Sequence, residues 1–188
     1  MSTKKIAAAV VAAAGLAGTA AVAVPASTAA ADFPAFLTCT ETQDVTYDPP
    51  LTNTVRETKA TVTRGLGTEA DVPVPCLGVG TTIIWGESED KSTQPRSCLE
   101  LTAPGATQVE ATIRWSDGSK STFRSTTRTV VRGEGTTVLQ NTGTIVSGQF
   151  EGQPAVETLA APNPDLTACK GEGIRSLTFE GDFTIAPG

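Results

Sequence analysis

Val109-Glu110-Ala111-Thr112-Ile113-Arg114-Trp115-Ser116-Asp117-Gly118 is the stretch that decides how this chain folds. Odd positions from 109 to 115 are apolar and even positions polar, the period of two of a strand with one face buried. Ser116-Asp117-Gly118 breaks the pattern and Lys120 to Val131 follows, which reads as a hairpin. A two-residue Asp-Gly loop would set Thr112 opposite Phe123 and put the ring on the wet face. A three-residue loop with Gly118 in the left-handed conformation sets Ala111 opposite Phe123 instead, so the core register selects it. The same register places Glu110 opposite Arg124 on the outer face, a cross-strand ion pair.

The pattern extends in both directions. Gly133-Glu134-Gly135 turns the chain into Thr136 to Val146, Ser147-Gly148 turns it into Gln149 to Leu159, and a loop from Ala161 to Asp165 leads towards Cys169. The last segment, Ile174 to Ile185, points Leu177, Phe179, Phe183 and Ile185 one way and Thr178, Glu180, Asp182 and Thr184 the other. Upstream, the strand candidates are Leu37 to Tyr47, Thr54 to Arg64, Gly80 to Gly86 and Ser97 to Thr102, with Asp48-Pro49-Pro50 as the first turn. Helix-length apolar periodicity is absent, and the composition after Asp32 is rich in Thr, Val, Gly and Ser. The expected fold is all-β: an antiparallel meander of about nine strands forming a barrel or a two-sheet sandwich, with hairpin-length links favouring the barrel.

Lys4 and Lys5, the uncharged run Ile6 to Val24 and the small residues Ala29-Ala30-Ala31 have the three-part form of a secretory signal peptide cut before Asp32. Removing residues 1–31 leaves 157 of 188, the length of a single all-β domain spanning 32–188. That part carries 12 basic and 20 acidic residues, a formal charge of −8, which disfavours nucleic acid and anionic membrane as partners. No second apolar run follows, so a secreted, extracellular protein with no membrane association after cleavage is expected.

Cys39, Cys76, Cys98 and Cys169 all lie in the exported part, and an even count in an oxidising compartment reads as two disulfides. No two cysteines have metal-ligand spacing and the chain has no histidine, so no metal is expected. If the first two strands form a hairpin, Cys76 arrives at the end of the sheet where Cys39 began. This favours Cys39–Cys76 with Cys98–Cys169; the pairing Cys76–Cys98 with Cys39–Cys169 would instead tie first strand to last.

The chemistry available is narrow. Without histidine there is no Ser-His-Asp or Cys-His arrangement, and cysteines held in disulfides supply no thiol nucleophile. No catalytic residue and no cofactor is expected, with a carboxylate pair the one acid-base device left open. Glu87-Ser88-Glu89-Asp90, placed in a hairpin loop, lacks the spacing of a calcium loop and reads as solvated charge. Arg124, Arg128 and Arg132, four apart on one strand, share one face, and with Arg114 of the neighbouring strand they make a local basic patch. That patch would meet an anionic polymer or carboxylate, or simply keep an outer face charged. Trp115 falls on the core register with Ile113. Trp85 ends a run apolar on both faces and is the better candidate for an exposed, ligand-stacking ring.

Cys39-Thr40, Val45-Thr46-Tyr47-Asp48-Pro49, Thr112-Ile113-Arg114-Trp115-Ser116-Asp117-Gly118, the run Gly143-Thr144-Ile145-Val146-Ser147-Gly148-Gln149-Phe150-Glu151-Gly152 and Leu166-Thr167-Ala168-Cys169, in that order, resemble a group of small exported all-β proteins common in actinomycetes. The resemblance implies the fold and export, and no activity. Three roles fit such a domain: a non-catalytic binding module for a glycan, cell-wall polymer or small ligand, a structural or surface protein without a ligand, and a protease inhibitor presenting Val72-Pro73-Val74-Pro75-Cys76. A cavity lined by Trp85 would favour the first.

Overall fold

A computed structural model describes residues 35–69, 72–101 and 109–188. The signal-peptide reading of residues 1–31 lies outside them. The unit Phe33–Gly188 is an antiparallel meander. Strands β1 (Phe36–Leu51) and β2 (Arg56–Leu66) form the first hairpin, followed by the two-residue strands β3 (Thr68–Glu69) and β4 (Val72–Pro73) and the short β5 (Leu77–Val79). The remaining strands are β6 (Gly86–Arg96), β7 (Glu110–Trp115), β8 (Lys120–Arg132), β9 (Thr136–Gly148), β10 (Pro154–Pro162) and β11 (Ile174–Ile185).

Sheet order runs β11-β10-β9-β8-β7-β6-β2-β1, and β11 pairs again with β1, from Leu37↔Ile185 to Thr46↔Ser176. An eight-stranded barrel is thereby closed, which decides between barrel and sandwich. The ninth strand, β5, pairs with β1 at Thr38↔Leu77, just past the point where β2 leaves it at Glu41↔Leu66. That junction brings Cys76 beside Cys39, and the disulfides are Cys39–Cys76 and Cys98–Cys169, the expected pattern.

The central hairpin has the register expected from its core face. Ala111 pairs with Phe123, Glu110 pairs with Arg124, and Gly118 sits at φ +85° in a three-residue loop closed by Trp115 N–H donating to Ser119 O. Beside small shifts at strand ends, four segments depart from the sequence reading. β1 runs through Asp48-Pro49-Pro50 to Leu51, because past Asp48 it has no β2 partner and the prolines interrupt no ladder bond. Residues Gly80–Trp85 form no strand: Ile83 plugs the core while Ile84 and Trp85 are exposed, and the strand begins at Gly86. Cys98–Leu101 is a short 3-10 helix rather than a strand. β10 begins at Pro154, after a turn in which Phe150 and Gly152 take positive φ.

One end of the barrel is filled. Leu37, Leu66, Ile113, Trp115, Phe123, Ile145, Phe183 and Ile185 form a core joined by the Cys39–Cys76 bridge. Trp115 donates its indole N–H to Ser121 Oγ at 2.8 Å and packs edge-on against Phe150. The Cys98–Cys169 bridge belongs to a separate cluster with Leu51 and Ile174.

Candidate functional site

Beyond the filled core the interior holds a cavity of about 460 Å3. Its apolar wall comes from inward positions of strands β1, β2, β9 and β11: Val45, Val62, Leu139, Leu177 and Phe179, with Tyr47 beside them. Its polar side comes from Gln43 and Arg64, two residues from Val45 and Val62 on β1 and β2, and from Asp90 on β6, Arg128 on β8 and Glu157 on β10.

Arg64 is the hub. Its side chain, 6 % exposed, reaches across the barrel from β2 to Glu157 on β10, with Nε donating to Oε1 at 3.2 Å. Nη1 donates to Asp90 Oδ2 at 2.6 Å and to Ser88 Oγ at 3.3 Å on β6. Glu41 Oε1 lies 3.5 Å from the same Nε. Asn141 on β9 extends the network by donating its amide to Glu157 and accepting from Arg128 Nε at 2.9 Å. Charge taken so far out of water is tolerated only when paired and hydrogen-bonded, and Arg64 and Glu157 meet both conditions.

Glu41 does not. It is 2 % exposed and neither carboxyl oxygen has a hydrogen-bond partner at its ionised acceptor sites. Burial pushes its pKa well above the usual carboxyl range, the facing Glu157 carboxylate pushes it further, and Arg64 only partly opposes them. The protonated form resolves the conflict, because it gives Glu41 an O–H to donate to Glu157. Arg128, half-buried, has a guanidinium pKa lowered mainly by desolvation.

The arginines expected to share one outer face do not. A bulge at Thr126 lets Ser125 pair with Gly143 and Thr127 with Thr142, so the inward set of β8 switches from odd to even positions. Arg128 and Val130 therefore turn into the cavity. Arg114 and Arg124 stay outside, paired with Glu87 at 3.5 Å and Glu110 at 2.8 Å, and exposed Arg132 donates to Leu101 O at 3.4 Å. Trp85 is 42 % exposed and is not a lining residue of the cavity. Glu87-Ser88-Glu89-Asp90 is strand rather than loop, with Ser88 and Asp90 turned towards Arg64 and Glu87 and Glu89 turned outward. Among the described residues no group of three or more Cys, Asp or Glu is arranged to hold a metal ion.

Sequence reasoning missed Arg64, Glu157, Glu41 and Asn141. The available signal was a charge on an apolar register: Glu157 alternates with Ala155, Leu159 and Ala161, and Glu41 with Cys39 and Val45. Comparison with protein-family models, curated proteins and solved structures returns no match.

Proposed function

We propose that this is a secreted, non-catalytic binding module that takes a small ligand into its barrel. The observation that carries the reading is the half-filled interior, with side chains packed at one end and about 460 Å3 of room beside them. An eight-stranded barrel is just wide enough to fill with side chains or to hold one small ligand, and ligand pockets run from roughly 300 to 1,000 Å3. An apolar wall with a few converging polar groups is the usual lining of such a site. Export is supported by the Lys4-Lys5 leader pattern and the two disulfides, which are compatible with an extracellular protein, as is the lack among the described residues of a helix able to cross a membrane.

The test is uptake of the neutral fluorophore N-phenyl-1-naphthylamine by purified protein, with Leu139→Trp filling the cavity. Saturable uptake that the filled variant loses, at unchanged or higher Tm, supports the reading. Absence of uptake, or uptake that the variant leaves intact, overturns it in favour of a structural barrel.

A further inference from the structure

The charges around this cavity do not balance. Arg64 has Asp90, Glu157 and Glu41 around it, Lys91 is paired with Glu89, and Glu110 with Arg124. Arg128 and Arg96, which both line the cavity, have no carboxylate within ion-pair distance among the described residues. Arg128 lines the cavity, and of its five N–H groups the one on Nε is met by Asn141 while those of the terminal fork have no described acceptor. Arg96 donates from Nη2 to Ser92 Oγ at 2.8 Å, while its Nε is buried with no partner. Beyond ion-pair distance, the Glu157 carboxylate favours the charged form of Arg128, while Arg64 and Arg96 disfavour it. Besides Lys91 and Glu110, which are paired elsewhere, the cavity lining sets the guanidiniums of Arg64, Arg96 and Arg128 against the carboxylates of Asp90 and Glu157, leaving one positive charge over among these lining groups. Opposite them lies the apolar wall of Val45, Val62, Leu139, Leu177 and Phe179.

The geometry points to an amphipathic monoanion as the ligand, a single carboxylate received by the Arg128 fork on the Arg96 side of the cavity, with an apolar body along the Val45–Phe179 wall. The planar fork matches a carboxylate with two parallel hydrogen bonds, and the single surplus charge matches one negative charge. A half-buried guanidinium without a counter-ion is only partly solvated, and a ligand's anion would supply the partner that the chain does not. The inference rests on the cavity being a ligand site, as proposed above.

Purified protein would be titrated calorimetrically with decanoate, decanol and decylamine. Decanoate should bind about tenfold or more tighter than either of the others. Arg128→Gln should weaken decanoate at least tenfold while leaving decanol unchanged, and Arg128→Lys should fall between. Arg96→Gln, read in parallel, should weaken decanoate selectively as well, and keeps the test open if Arg128→Gln does not fold. Equal affinity for decanoate and decanol, or decanoate affinity indifferent to both glutamine variants, overturns the anion assignment while leaving cavity binding standing. Binding of none of the three compounds, together with no naphthylamine uptake, overturns both.

Discussion

Glu41 is the residue at which stability and pH should be coupled. Its pKa is raised first by burial and then by Glu157, with Asp182 adding to the rise and Arg64 opposing it, so the folded chain keeps this proton to a higher pH than the unfolded chain does. The contribution is therefore complete below the ordinary carboxyl range and is lost as pH climbs through the raised folded value. Glu41→Gln, which keeps a neutral donor for Glu157, should remove that decline and melt about 3 °C or more above the parent at mildly alkaline pH, with little difference in acid. Thermal melts across the range decide it, and a variant that declines as steeply as the parent would contradict the protonated pair. The position of Glu41, Gln43, Arg64 and Glu157 on inward registers was legible from alternation in the sequence. Their meeting was not, because β2 and β10 are brought face to face only by the closed barrel.

At the scale of the element, the two strands most important to the cavity were the least readable. β6 turns Ser88, Asp90 and Arg96 inward, so a strand that lines a polar cavity carries no hydrophobic alternation. β8 was recognised as a strand, but its bulge falls at Thr126 with no glycine or proline to announce it, and every residue beyond Ser125 changes face. Deleting Thr126 removes the extra residue, so Thr127 follows Ser125 in a regular ladder with Arg128 and Val130 still inward, and naphthylamine uptake should survive. Gly118→Ala is the companion change at a turn. At φ +85°, with nothing within 4 Å of the added carbon, it should lower stability by about 1 kcal/mol through backbone strain alone and leave uptake as it was. Urea melts and the uptake assay check both; uptake lost on deletion at unchanged stability would contradict the inward placement of Arg128 and Val130 in the shortened strand. The hairpin around Gly118 was fully legible because its register rests on local sequence.

For the molecule as a whole, the hairpins of a meander look the same in a barrel and in a sandwich, and the single long-range pairing of β1 with β11 makes the difference. The disulfides could be placed beforehand because the first hairpin returns the chain to the end of the sheet where Cys39 lies, and β5 then pairs with β1 beside it. They join different clusters, and the Cys98–Cys169 bridge spans 71 residues against 37 for Cys39–Cys76. Replacing Cys98 and Cys169 by alanine should lower stability by about 4 kcal/mol, somewhat more than the same change at Cys39 and Cys76. A larger loss at the shorter loop, measured by urea unfolding, would show that packing outweighs chain entropy here. The barrel's closing seam also has a bearing on when folding can finish. Leu37 pairs with Ile185, so during synthesis the first strand stands with one edge open until the whole of β11 has been made. A contact between such distant positions is among the slow kind to form. The open edge is meanwhile a template for a neighbouring nascent chain, so refolding yield should fall with protein concentration well before the folded barrel shows any tendency to associate.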